Sequence, residues 1–415
     1  MTELNNITSK NNTITIHNMV NSNCVYDFMR ILHNVVCSKG YSDVIIISHP
    51  DGVFPNVCVP IAGIINFYRA KYNVGFSYHI GDSDYLSSCC FDFPRNFSID
   101  VDGDSPLNRI FYYETSKQVA DITQSLINKL SFLAECEIGV LDGLNWCINE
   151  VMDNVLVHSN TGRGYIMAQY HQQSHKIAIC VYDSGIGIYS SMKDSSHKPK
   201  SEADAISLAI QEGVGDGKGQ GNGLYGLYST ICHNKGTLSI TSGGALLSVD
   251  TEGIINKKTT KIYLDRQRKS TLVDFQMNLD KGIDFDSVFP SMSCYDGRLD
   301  DLYDERKECI VYDVYKESLG TATREAGDLL RNDIMNILKR TDDVIHLDFS
   351  KVQMVSSSFI DEFIAKLFLS LGFITFNNRI RIIRMNKIVQ GLCQRSLYMR
   401  IHAEWETEKR NNSVK

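Results

Sequence analysis

"GVGDGKGQGNGLYGL", Gly213 to Leu227, is the stretch on which the reading of this chain turns. Six glycines occupy alternate positions from Gly213 to Gly223, and the sequence then becomes apolar with helical spacing. Glycine makes up about 7% of an average chain, and 29 in 415 residues is no more than that. The enrichment is therefore local. A backbone this permissive suits a segment that closes over a ligand and reopens. The bare N–H groups at the start of the following helix, around Gly221, Gly223 and Leu224, stand where phosphate oxygens are best received. Taken alone, the same pattern would also serve as a linker.

Two motifs upstream change the odds. In "NEVMDNVLVHS", Glu150, Asn154 and His158 recur every fourth residue, so one helix face carries all three. The other side of that helix is apolar, with Leu144, Cys147, Val151, Val155 and Val157 wrapping it. A polar stripe on an otherwise buried helix needs partners. In "IAICVYDSGIGI" an apolar strand runs into Asp183, followed by Gly185 and Gly187. An aspartate there can accept hydrogen bonds from an exocyclic amine, and the glycines let a flat ring approach the backbone.

A polar-faced helix, two strands, D-x-G-x-G, a loose segment and G-x-G-L opening a helix form an ordered set. Over residues 112 to 265 this set resembles the Bergerat-type ATP-binding domain of the GHKL superfamily. Glu150-x-x-x-Asn154-x-x-x-His158 matches the N box, Asp183-Ser-Gly185-Ile-Gly187-Ile188 the G1 box, and Gly221-Asn222-Gly223-Leu224 the G2 box. The resemblance implies ATP and Mg²⁺ as cofactors. Asn154 is then the Mg²⁺ ligand and Glu150 the catalytic base. Asp183 reads the adenine amine, with Gly185, Gly187 and Ile188 close to the base. Gly219, Gly221, Asn222, Gly223 and Leu224 form the end of the lid and the phosphate cap. His158 lies near the phosphates or packs, and Thr259 or Thr260 of "TTKIYLD" falls where the family has its closing threonine strand. The lid lacks the phenylalanine box of histidine kinases, and the helix before the N box has no histidine, so a two-component histidine kinase is disfavoured.

The tail supplies the next signal. In "DVIHLDFSKVQMVSSSFIDEFIAKL" a buried strand ends at Asp348-Phe349-Ser350, and a serine cluster opens a helix bearing Asp361 and Glu362. Serines in that position cap the helix. With the upstream "TATREAGDLLRNDI", this resembles the STAS-like domains related to anti-anti-sigma factors, in which such a corner carries a regulatory phosphorylation site. Ser357 and Ser358 are then the candidate phospho-acceptors, and a protein partner docks on this domain. An echo of the same pattern lies 300 positions earlier: "DVIIIS" stands over "DVIHLD", and Ile64 and Phe76 over Ile364 and Phe376.

These readings give an α/β protein: a Bergerat-type sandwich, its mixed sheet covered by helices on one face, flanked by smaller α/β STAS-like domains. The expected divisions are 1–105, 106–266 and 267–415, with "RQRKST" as the second boundary and residues 1 to about 12 frayed. A net charge of -7 leaves no footprint for nucleic acid or an anionic membrane. No apolar run of about 18 residues appears, and the polar start has no secretory pattern. The twelve cysteines contain no CxxC pair, as in a cytoplasmic protein with reduced, buried thiols. The functional expectation is a serine-kinase-like or ATPase switch coupled to a partner-switching domain. The alternative is an ATPase whose lid closure drives homodimerisation or effector activation without kinase activity.

Overall fold

The computed structural model describes residues 6–48, 50, 52–80, 84–97, 105–214, 223–259, 270–284, 288 and 297–412. Two compact units emerge: Met1–Ile127 with Asp142–Met292, and Asn128–Leu141 with Ser293–Lys415.

In the first unit, isoleucines at alternate positions build a small sheet in the order β1 (Ile7–Lys10), β2 (Thr13–Ile16), β3 (Asp43–Ser48) and β4 (Gly75–Ile80). β1 and β2 are antiparallel, whereas β2–β3 and β3–β4 are parallel. Residues 6–12 are thus more ordered than their polarity predicts, because Ile7 is buried opposite Ile16. The Pro55–Tyr72 helix connects β3 to β4 and buries Ile61, Ile64, Ile65 and Tyr68 along one side.

The same unit holds an eight-stranded sheet. Its strands are β5 (Arg95–Asn96), β6 (Phe111–Tyr113), β7 (Gly164–His171), β8 (Lys176–Asp183), β9 (Thr237–Ser242), β10 (Ala245–Val249), β11 (Ile255–Thr259) and β12 (Thr271–Asn278). The spatial order is β11-β10-β9-β12-β8-β7-β6-β5. β7 and β8 form the hairpin expected from "GYIMAQYH" and "KIAICVYD", turning through Gln172–Ser174. β12 departs from the expected division at 266: it begins at Thr271, the last residue of "RQRKST", and lies at the centre of this sheet, antiparallel to β8 and β9. Its Val273, Phe275 and Met277 alternate with period 2 and are buried on one face of the strand.

Helices lie on both faces of the large sheet, not on one. Tyr165, Met167, Cys180, Tyr182 and Leu272 share a core with the Pro55–Tyr72 helix. Gly63 permits this approach, since a Cβ there would lie 2.5 Å from the Tyr182 ring. That second cover follows from the apolar character of both faces of β8, which is buried from Ile177 to Asp183. The Gly223–His233 helix packs on β9 and β12. The Val140–His158 helix buries Leu144, Cys147, Val151 and Val155, but Val157 is 51% exposed and lies outside the apolar face assigned to it.

The second unit repeats the topology of the small sheet. β13 (Tyr303–Asp304), β14 (Cys309–Asp313), β15 (Ile345–Asp348) and β16 (Ile380–Ile383) stand in that order, the first pair antiparallel and the next two parallel. The helix Arg324–Arg340 starts from Thr323, whose hydroxyl accepts from the Ala326 N–H. Ser357–Ile360 runs through a π turn, Asp361–Ala365, into Lys366–Arg379, where Gly372 at φ 73° kinks the helix. Leu330, Ile334, Leu347, Phe359 and Phe363 close this core.

Residues 128–141 are held in the second unit by buried polar groups. The Asn336 amide donates to the Ser131 and Ala134 carbonyls, both at 2.9 Å, and its oxygen accepts from the Cys136 N–H at 2.8 Å. Asp333, fully buried, accepts from the Ser131 hydroxyl at 2.6 Å and from Tyr312 at 2.8 Å. A network like this is costly to break, because each orphaned partner stays desolvated. Asn336→Ala is expected to destabilise the second unit by about 2–4 kcal/mol, read as a lower midpoint in urea denaturation.

Candidate functional site

The Val140–His158 helix extends without a break through the motif that begins at Asn149, so Glu150, Asn154 and His158 do share a face. All three are half-buried. β8 ends at Asp183, and the next helix turn begins at Gly187, whose φ of 77° favours glycine. The third motif opens a helix at Gly223, with Leu224 in its first turn.

Tertiary folding brings the two glycine corners to this helix. A Cβ on Gly223 would lie 2.6 Å from Glu150 Oε2 and 3.2 Å from Asn154 Nδ2. The absence of a side chain at Gly223 is what lets a helix N-terminus face the two polar groups. A Cβ on Gly185 would lie 2.3 Å from the Ser159 carbonyl, just beyond the same helix. That carbonyl accepts from the Ile186 N–H at 3.1 Å. The Asp183 carboxylate accepts from the Gly185 N–H at 2.7 Å, which fixes the turn. Ile188 N–H donates to the Ser242 hydroxyl at 2.8 Å. Gly219, Gly221, Asn222 and Thr260 lie outside the described residues.

Asp183 is 4% exposed, and burial pushes its carboxyl up to about 7, against the opposing hydrogen bonds from Gly185 and Thr271. Burial also raises Glu150, with the neighbouring Asp153 adding to the effect. Desolvation of this kind makes a carboxylate a stronger base than an exposed one.

The threonine beside Asp183 is Thr271, directly across the β8–β12 ladder and also facing Ser242, 3.3 Å from its hydroxyl. Thr259, by contrast, ends the outermost strand and is exposed. The signal for Thr271 was present in "TLVDFQMN", whose apolar alternation marks a strand, but it is obscured by the basic run before it.

In the second unit, Ser356 caps its helix by accepting from the Phe359 N–H at 2.9 Å, and its hydroxyl lies 2.9 Å from that of Ser358. Ser357 is exposed and Ser358 half-buried. Tyr315, Leu319 and Met354 are exposed apolar side chains of this unit, and Thr321 ties their segments together by donating to the Met354 carbonyl and accepting from the Ser356 N–H. Asp348, at the strand end, pairs with Arg384.

Residues 326–390 match the family model of the STAS-like domain of unknown function (DUF4325). A STAS-like domain is present. The match takes in the Arg324–Arg340 helix from residue 326 onward, β15, the serine corner and β16; the helix, β15 and the serine corner are the segments that carry the STAS-like resemblance. No curated protein and no solved structure matches the chain. No helix among the described residues is long and apolar enough to cross a membrane.

Proposed function

We propose that this chain is a MgATP-binding signalling protein of the GHKL type, in which nucleotide occupancy of the first unit is coupled to the STAS-like domain of the second. The observation that carries the reading is the close approach of Gly223, at a helix N-terminus, to Glu150 and Asn154. Those are the residues the N-box and G2-box resemblance assigns to metal, base and phosphate.

The donor set fits the cofactor. The Asn154 side-chain oxygen would hold Mg²⁺, which needs few protein ligands because phosphate and water complete its octahedron. The N–H groups of Gly223 and Leu224 would receive phosphate oxygens, with Gly219, Gly221 and Asn222 closing over them. Asp183, held by Gly185 and Thr271, would accept from the adenine amine, with Gly187 and Ile188 flanking the ring. His158 would line the phosphate end. Bound MgATP supplies the γ-phosphoryl group, and Glu150 would orient the attacking water or hydroxyl. The STAS-like domain would provide the protein-interaction surface, with Ser357 and Ser358 as acceptors in a kinase. The matching strand order and direction of the two small sheets support reading residues 1–105 as a second STAS-like copy.

Calorimetric titration of the full chain with ATP and Mg²⁺ tests the reading, with intact mass read after incubation. Saturable, magnesium-dependent binding is the expected result. A phosphate added to Ser357 or Ser358 would mark a kinase, and free phosphate from an unmodified chain an ATPase. No heat of binding would overturn the proposal.

A further inference from the structure

A second polar cluster lies in the first unit, away from Asp183. Strand alternation puts Leu272, Asp274 and Gln276 on the face of β12 opposite Val273 and Phe275, and Leu272 belongs to the core shared with the Pro55–Tyr72 helix. Asp274 stands at a cleft of about 250 Å³, also lined by Phe54, Asn56, His171, Ala178 and Gln276.

Asp274 has little to compensate its charge. Asn56 donates to Asp274 Oδ2 at 3.2 Å. Among the described residues no lysine or arginine forms an ion pair with it. A desolvated carboxyl without a cation is costly. Burial accordingly pushes Asp274 up to about 7, with the Asn56 bond opposing. A carboxylate serving only as an anionic partner for the helix that starts at Pro55 would have its ionised form favoured and its pKa lowered instead.

The rest of the cleft defines what could supply the missing charge. Phe54 is 43% exposed and lies edge-on to His171, with ring centroids 6.3 Å apart. Burial lowers the His171 pKa, so the ring does not serve as the counter-cation at neutral pH. Phe54 and Ala178 offer apolar contact, and Gln276 adds a neutral polar group. The volume is below the roughly 300–1,000 Å³ of drug-sized sites, which favours a small ligand over a nucleotide or a folded peptide.

We propose that this cleft binds a small organic cation, an amine or guanidinium on a short apolar stem, with Asp274 as its counter-ion and Phe54 against the stem. The site is separate from the nucleotide reading and is tested without nucleotide. Full-length protein at pH 8 in 150 mM salt is titrated with agmatine and with benzylamine, and benzyl alcohol serves as the neutral control. Calorimetry is expected to show saturable binding of both cations, a matching rise in Tm, and no binding of the alcohol. Asp274→Asn keeps the side-chain volume and removes the charge, and should weaken cation binding at least tenfold. Phe54→Ala should weaken benzylamine more than agmatine. Absence of binding to the wild-type protein, or equal binding to Asp274→Asn, would overturn the proposal.

Discussion

Glu150→Gln is expected to leave MgATP binding within a few-fold of wild type and to lower phosphoryl release or transfer about 100-fold or more, the scale of a lost general base. Asn154→Ala is expected to act differently. It removes the amide oxygen assigned to Mg²⁺ and should weaken magnesium-dependent nucleotide binding by at least about tenfold. The two side chains lie one helical turn apart, and both come close to Gly223. Both are half-buried, and neither lies in the apolar core, so both variants should fold. Glu150→Gln removes a carboxyl that burial already penalises. Calorimetry with and without magnesium, paired with single-turnover phosphate release, separates the two effects. Equal turnover in wild type and Glu150→Gln would remove Glu150 from the base role. Magnesium dependence retained in Asn154→Ala would remove Asn154 from the metal.

Asp183→Asn is expected to lose nucleotide affinity and gain stability in the ligand-free protein. A site built to hydrogen-bond one group rejects its absence strongly. An amide whose oxygen is held by the Gly185 N–H would turn donors toward the adenine amine, so a loss of about 100-fold or more follows. For stability, the wild-type carboxyl is held at about 7 by burial, against about 3.9 in an unfolded chain. A raised folded value means that the neutral carboxyl favours folding fully below about pH 4. That contribution is lost as the pH rises through 7, amounting to about 4 kcal/mol at most. Asparagine cannot ionise, so the variant should not lose stability over that window. Melting curves from pH 4 to pH 8 check this: wild type should fall relative to Asp183→Asn as the pH rises. Parallel curves would mean that Asp183 is ionised throughout in the folded protein.

Much of the candidate site is legible in local pattern. The four-residue spacing of Glu150, Asn154 and His158 needs only a helix to align them, and the structure has that helix at Val140–His158. The run of apolar residues into Asp183 marks β8, and the change from alternating glycines to "LYGL" marks a helix onset at Gly223. The tail was readable for the same reason. The serine corner and its flanking strand form a local unit, and Ser356 does cap the helix that follows it.

The sequence by itself determined the elements and the order of the motifs, because caps, turns and side-chain period act over a few residues. Only the tertiary structure decided which elements meet. Thr271 stands beside Asp183 because β12 enters the sheet between β8 and β9, although a basic run separates it from the strands before it. Asn56 reaches Asp274 across 218 positions, and Asn336 grips the Ser131 carbonyl across 205. Such pairings depend on which apolar faces remain to be covered once each element has formed. The two-faced apolar β8 needs a helix on each side, and no local pattern names the segment that supplies it. The raised Asp183 carboxyl has the same origin: the residue type is written in the chain, but its desolvation comes from the strands and turns that close around it.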